Sequence, residues 1–403
     1  MAESSLPEGI KLTALDEEFR NDPYPVLRRL RQEAPVHEDT ELRRFIYTRH
    51  DDVRSILRDK EVWSDPRKAN PGTFTRTFLG NENEEPSMLL MDEPDHRRLR
   101  SLVSKPFTPA AVEKWRPRTK EVIQRVLSLI TAKEFDLINE FSGPIPTVVI
   151  AEMLGIDPGM HVDFKRWSDV SVKASFNPFP SDEESLAAEK ANQSLKEFFS
   201  KEIATRRNNL ADDLLSDMIR AEEEGEKLTE EEIITQCNLL LIAGNVTTTD
   251  LIGNGVKALL DNPDQLKKLR EHPELIKNTV EEILRYDSPV TNSGRIANRV
   301  MEINGCPVNP GESLSTSLAA ANHDESVYPN PDKFDIERED THHQSFGGGR
   351  HLCLGAHLAR LEAQEAILAL LDEYPNLSHG EKGFEYSSVP SFRGMSYFWV
   401  NTA

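Results

Sequence analysis

Three observations predict a mainly α chain with small β-sheets. Residues 229–260 read as one helix of about 30 residues, well beyond the average length, opened by Thr229 and Glu232 at the spacing of a reciprocal N-terminal cap. Residues 354–371 repeat apolar side chains at helical intervals. Strand signals are short by comparison: residues 42–48, and residues 301–308, where Asn304-Gly305 supplies a hairpin turn.

Composition then narrows the function classes. A length of 403 residues would on its own suggest two or three domains. The net charge of -21 argues against a general binder of nucleic acid or anionic membrane. The start, Met-Ala-Glu-Ser-Ser-Leu-Pro-Glu-Gly, has neither the basic region nor the apolar core of a secretory signal or anchor. No later run approaches the roughly 20 apolar residues of a spanning helix. Three cysteines fit a reducing cytoplasm better than a disulfide framework. The expectation is an acidic, cytoplasmic protein without internal repeats.

In chain order, a short helix begins at Asp22, a strand covers residues 42–48 and a helix covers residues 51–60. From Trp63 to Leu90 the breakers Pro66, Pro71, Gly72, Gly80 and Pro86 predict a long loop carrying the apolar Phe74, Phe78, Leu79 and Met88. Asp92-Glu-Pro-Asp then opens a helix on which His96 and Arg100 share a face, a donor and a fixed cation able to hold a carboxylate. Between Arg97 and Lys120 eight basic residues accompany a single acid, Glu113, forming a basic island in an acidic chain. Residues 145–156 carry a core-helix pattern, and two helical segments between 163 and 210 flank the proline-broken Phe176-Asn-Pro-Phe-Pro-Ser.

The middle of the long helix is Leu239-Leu-Leu-Ile-Ala-Gly-Asn-Val-Thr-Thr-Thr-Asp. A glycine followed by three β-branched threonines is poor helix chemistry, and such inconsistency marks candidate sites. Ala243 and Gly244 leave room beside the helix. Thr247, four residues after Ala243, can bond that residue's carbonyl or turn its hydroxyl to a guest. Asp250 lies one turn beyond Val246. Further on, Glu282 and Arg285 stand at ion-pair spacing, and Cys306 falls in the predicted hairpin as an inert thiol.

The densest pattern is Phe346-Gly347-Gly348-Gly349-Arg350-His351-Leu352-Cys353-Leu354-Gly355. Its four glycines let the main chain fold tightly round one cysteine. The helix that follows places Cys353 near a partly positive end, where a thiolate is favoured. A structural zinc site would need about four ligands at characteristic spacing, and Cys237 and Cys306 stand far upstream. A nucleophilic cysteine with His351 as base, and a buried cysteine in a glycine turn, are the other readings of these residues; Phe346 and the glycines favour an enclosed sulfur over a substrate-facing one.

The full ten-residue pattern resembles the haem-binding loop of the cytochrome P450 family, in which a cysteine thiolate is the axial ligand of haem iron. The resemblance runs from about Asp22 to Gly394. It implies one large P450 domain over residues 1–403: an N-terminal extension (1–20), substrate-access regions (63–91 and 160–210), an oxygen-binding helix (229–260) and the haem-ligand loop and helix (346–371). Cys353 is then the iron ligand of haem b (iron protoporphyrin IX), with Phe346 and Gly347 in its loop and His96, Arg100, Arg295 and His351 placed for the haem and its propionates. Thr247 falls on the threonine that assists O–O cleavage, beside Ala243 and Gly244.

Val246 stands where the family carries an acid that relays protons, and this is the clearest departure; ordered water or Asp250 is the expected substitute. Glu282, Arg285 and Arg338 match a buried structural triad, and residues 288–293 and 389–392 match segments lining the substrate cavity. The basic island matches the face that docks an electron donor. The expected partners are an iron-sulfur ferredoxin, or a flavodoxin, with its NAD(P)H reductase, serving a monomer. The implied activity is a haem-thiolate monooxygenase acting on a small hydrophobic substrate by hydroxylation, demethylation or epoxidation. The alternatives are a peroxide-driven peroxygenase and a non-catalytic haem sensor or carrier.

Overall fold

The computed structural model of the chain describes residues 6–79, 86–177, 179–223 and 228–403. Its contacts gather into two compact units, each built from separated stretches of sequence: Met1–Glu84, Asp261–Cys353 and Tyr386–Met395 form the first, and Glu85–Leu260, Leu354–Glu385 and Ser396–Ala403 the second.

The first unit is organised on a four-stranded sheet in the order Val36–Asp39, Arg44–Tyr47, Ser313–Ser317, Asn292–Ile296. Its middle pairing is parallel, with Phe45 opposite Leu314, and the flanking pairings are antiparallel. Every residue of Arg44–Tyr47 and Ser313–Ser317 is buried, as expected of central strands covered on both faces. The helix His50–Arg58 presents Val53, Ile56 and Leu57 to the core beside Tyr47 and Leu314. The Tyr24–Glu33 helix contributes Leu27 and Leu30 to a second cluster with Ile46. The predicted hairpin is present as Met301–Ile303 paired with Cys306–Val308. Asn304 and Gly305 adopt φ of 51° and 75° at its turn, the left-handed conformation that these two residues tolerate best.

The stretch expected to be an unbroken loop holds more structure than its breakers suggest. Phe74–Leu79 is a short helix, with single 3-10 turns at Pro66–Lys68 and Met88–Leu90. Phe74 and Phe78 sit one turn apart with ring centroids 5.1 Å apart, a side-chain pairing that favours a helical turn. Residues 80–85 of this stretch, Gly80 among them, and Pro178 of the proline-broken segment 176–181 lie outside the described residues.

The second unit is helical around a small sheet ordered Glu134–Asp136, Met395–Asn401, Ser378–Tyr386. Two helices, His161–Phe176 and Asp182–Arg206, form the two helical segments expected between residues 163 and 210. The long helix spans Glu230–Asp261, 32 residues. Its predicted cap is formed: the Thr229 amide donates to Glu232 Oε2 at 2.8 Å and the Glu232 amide to Thr229 Oγ1 at 3.2 Å. From Thr248 to Val256 all its residues are buried, the pattern of a helix surrounded by protein.

The basic island is largely neutralised in three dimensions, which corrects the expectation that Glu113 is its only counter-charge. Arg98 pairs with Glu232 at 2.5 Å, Arg118 with Glu152 at 2.7 Å, and Arg116 and Lys120 both pair with Glu365. These acids lie far away in sequence, so a local window could not count them. Lys105 and Lys114 make no ion pair among the described residues and are exposed.

Candidate active site

In the first unit, the cysteine loop is shaped by backbone demands. Gly347 and Gly349 adopt φ of 68° and 64°, and a Cβ on Gly349 would lie 2.4 Å from the Leu57 carbonyl oxygen. Glycine is therefore required at 349 by close approach as well as by conformation. The Gly347 amide donates to Gln344 O at 2.7 Å, and the Cys353 amide closes the loop on Phe346 O at 2.9 Å. With the main chain turned inward to satisfy itself, Cys353 is an exposed residue.

Two more candidates lie in this unit. Arg295, on the strand Asn292–Ile296, is buried and donates through Nη1 to Ser293 Oγ at 3.0 Å and to Gly294 O at 2.7 Å. His351 is half-buried in the 3-10 turn Gly349–His351. The expected triad is present here as well, with Glu282 between Arg285 and Arg338.

The remaining candidates belong to the second unit. His96, 2% exposed, and the half-buried Arg100 follow one another by a turn on the helix Asp95–Val103. On the long helix, Thr247 Oγ1 donates to the Ala243 carbonyl at 2.9 Å, the back-bond anticipated from their spacing. Ala243 is exposed, while Val246 and Thr247 are half-buried and Asp250 is buried. A Cβ on Gly244 would meet Ile150 of the helix Pro144–Met153 at 3.6 Å, an ordinary van der Waals contact, so packing against that helix does not demand glycine.

Two residues escaped the sequence reading. Asn245 is fully buried, and its Nδ2 makes no hydrogen bond among the described residues; a buried donor of this kind is ordinarily satisfied by ordered water. Glu362 lies on the helix Ala356–Glu373, and burial pushes its carboxyl up to about 8. A signal for it existed: position 362 lies one turn after Leu358 and one before Ala366, on the apolar stripe. Because its folded pKa exceeds the ordinary value of 4.5, stability falls as pH rises through the interval between those values. Glu362→Gln is expected to stabilise the protein by on the order of 3 kcal/mol at pH 7 and by little at pH 4. Urea unfolding midpoints at both pH values test this; a gain independent of pH would sink it.

Burial also raises the pKa of the Cys237 and Cys306 thiols, leaving both protonated near neutral pH. No group of three or more His, Cys, Asp or Glu able to hold a metal occurs among the described residues, so an iron at Cys353 must bring its remaining ligands with it. A porphyrin does so, and its two propionates suit donors such as His96, Arg100, Arg295 and His351. Taken unit by unit, Arg295 and His351 in the first and His96 and Arg100 in the second are donors of the kind haem propionates accept.

Comparison with known proteins agrees. The family model described as "Cytochrome P450" matches residues 43–382. The chain is 38% identical to cytochrome P450 107B1 of Saccharopolyspora erythraea over 91% of both chains. It is 36% identical to the cytochrome P450 monooxygenase PikC of Streptomyces venezuelae, over 92% of this chain and 88% of that one. The crystal structure of the myxobacterial cytochrome P450 CYP267B1 in complex with myristic acid superposes with a TM-score of 0.90 at 32% identity, covering 98% of this chain and 99% of that one. With the glycine-bound thiol, the helical fold and this agreement over nearly the whole length, the chain belongs to the cytochrome P450 family and is a monooxygenase that binds haem b.

Proposed function

We propose that this chain inserts one oxygen atom from dioxygen into a C–H bond of a small apolar substrate, with Cys353 as the ligand of the haem iron. The observation that carries this reading is the glycine-tight loop closed on Cys353, whose amide bonds Phe346 O while Gly347 and Gly349 take positive φ. Bound haem would supply the oxidising chemistry, consuming dioxygen, two electrons and two protons per substrate and releasing the oxygenated product and one water, with thiolate donation favouring O–O cleavage. His96, Arg100, Arg295 and His351 would hold the propionates. The relative described above in complex with myristic acid supports an apolar chain as one class of substrate.

Electrons would come from an iron-sulfur ferredoxin, or a flavodoxin, with its NAD(P)H reductase. Lys105 and Lys114 supply the uncompensated charge that would steer an acidic partner. No helix among the described residues is long and apolar enough to cross a membrane, and all three cysteines are free. Both observations support a cytoplasmic setting.

Thr247 would position the proton that O–O cleavage consumes, its hydroxyl turning from the Ala243 carbonyl toward the reacting oxygen. Valine at 246 cannot relay protons. The unfilled amide donor of Asn245 supports a route through bound water, and the buried Asp250 offers a carboxylate on the same helix. Val246→Asp is therefore expected to lower the fraction of electrons lost to peroxide, by about twofold or more given the usual effect of a positioned proton-transfer group. The measurement is peroxide released per NAD(P)H oxidised in a system reconstituted with ferredoxin and reductase. Unchanged or greater release in the variant would count against this route.

A further inference from the structure

Two adjoining cavities in the first unit, of about 30 and 20 Å³, share Arg44 and Leu12 in their walls. That volume admits a polar head group and a water or two rather than a whole ligand. Arg20, Arg44 and Arg393 line the larger cavity, and no acidic residue among the described residues lines either one. In a chain with a net charge of -21, such a concentration of positive charge is unusual.

Two of the three cations have a buried counter-ion. Arg393 bonds Asp287 through Nε and donates to the carbonyls of Arg20 and Asn21 at 2.8 and 3.5 Å, so its donors are occupied. Arg44 donates through Nε to Asp39 Oδ2 at 2.9 Å. Arg20 donates to Ala14 O at 2.9 Å and makes no ion pair among the described residues. Arg44 and Arg393 thus have the carboxylates of Asp39 and Asp287, while Arg20 has no carboxylate partner among the described residues.

Arg44 adds a sharper observation. Its side chain is 5% exposed, yet Nη2 makes no hydrogen bond among the described residues. A buried charged donor without an acceptor is costly and rare. The same guanidinium lies 4.8 Å from the centroid of the Phe74 ring, and Phe74, Phe392 and Leu12 make the neighbouring wall apolar. A planar anion joined to an apolar body matches this arrangement, because guanidinium recognises carboxylate geometry directly.

We propose that this cavity is a recognition subsite for the carboxylate of an amphipathic substrate, taken up by Arg44 and Arg20, with the apolar part against Phe74 and Phe392. The assignment deepens the monooxygenase reading and rests on it. Calorimetric titration of the haem-loaded protein with sodium decanoate, decan-1-ol and sodium acetate tests it.

Decanoate is expected to bind about tenfold more tightly than decan-1-ol or acetate, the margin of one charge-assisted contact. Arg20→Gln should lose about that factor for decanoate and leave decan-1-ol unchanged. Arg44→Gln combined with Asp39→Asn, which leaves no buried carboxylate behind, should abolish the preference. Equal affinity for decanoate and decan-1-ol, no binding of decanoate, or a preference surviving both variants would overturn the assignment. So would acetate binding as tightly as decanoate, which would mark a small-anion site. The reduced carbon-monoxide spectrum of the same preparations reports separately whether the haem-thiolate reading stands.

Discussion

Glu282→Ala is expected to cost about 3–5 kcal/mol of stability, the price of leaving buried charge unpaired. The Glu282 and Arg285 side chains are both 0% exposed. Arg285 grips Glu282 through two bonds, Nε to Oε2 at 2.7 Å and Nη2 to Oε1 at 2.8 Å. Its other donors reach the carbonyls of Asn322, Pro331 and Lys333. Arg338 adds a contact from Nε to Oε2 at 3.1 Å and fastens the carbonyls of Pro329, Asn330 and Lys333. The Asp335 amide donates to Glu282 Oε1 at 2.9 Å.

One carboxylate thus anchors two guanidiniums and the segment 329–338 that they hold. Alanine removes the only carboxylate that pairs with either guanidinium among the described residues while leaving two cations in place, the costly way to break a buried network. Against a total stability of about 5–15 kcal/mol, that loss is large. Glu282→Gln, which keeps shape and one acceptor, should fall between alanine and wild type. Urea unfolding decides the matter: an alanine variant within about 1 kcal/mol of wild type, the range of a replaceable surface pair, would show that the triad is not a brace.

The legibility of this chain followed the range of its interactions. The cap at Thr229, the Asn304-Gly305 turn and the Thr247–Ala243 back-bond are each closed within a few residues, and each is present where local chemistry placed it. The short helix Phe74–Leu79 was hidden because breakers on either side outweighed its six residues. The neutralisation of the basic island was hidden for a different reason. Glu152, Glu232 and Glu365 reach it from other helices, and only the fold reveals who neutralises whom. Gly349 shows both levels together: its freedom is readable from the loop, but its collision with Leu57 is not.

The same division holds for the site. Cys353 stood out because four glycines surround it, and Arg285 because Glu282 lies three residues before it. Arg44 did not stand out, since its importance comes from burial beside Asp39 and from an unfilled donor. Glu362 lay in view on an apolar stripe, but its raised pKa is a consequence of burial that no sequence window contains.

Cys353→Ser is expected to abolish oxygenation while leaving the fold intact. The substituted side chain is exposed, and the Cys353 amide bond to Phe346 O does not depend on the thiol. The change in stability of the haem-free protein should therefore stay within about 0.5 kcal/mol, as for other surface replacements. Serine at that position is a neutral alcohol, whereas the thiol ionises to a strong soft donor when it meets a metal. Substrate-dependent NAD(P)H oxidation with ferredoxin and reductase should fall to background.

The most direct measurement is the absorption spectrum of the reduced protein under carbon monoxide, taken on wild type and on Cys353→Ser. The wild type should show the strongly red-shifted Soret band of thiolate-ligated haem, and the serine variant should lack it. A wild type without that band, or a serine variant that keeps it, would contradict the assignment of Cys353 as the iron ligand.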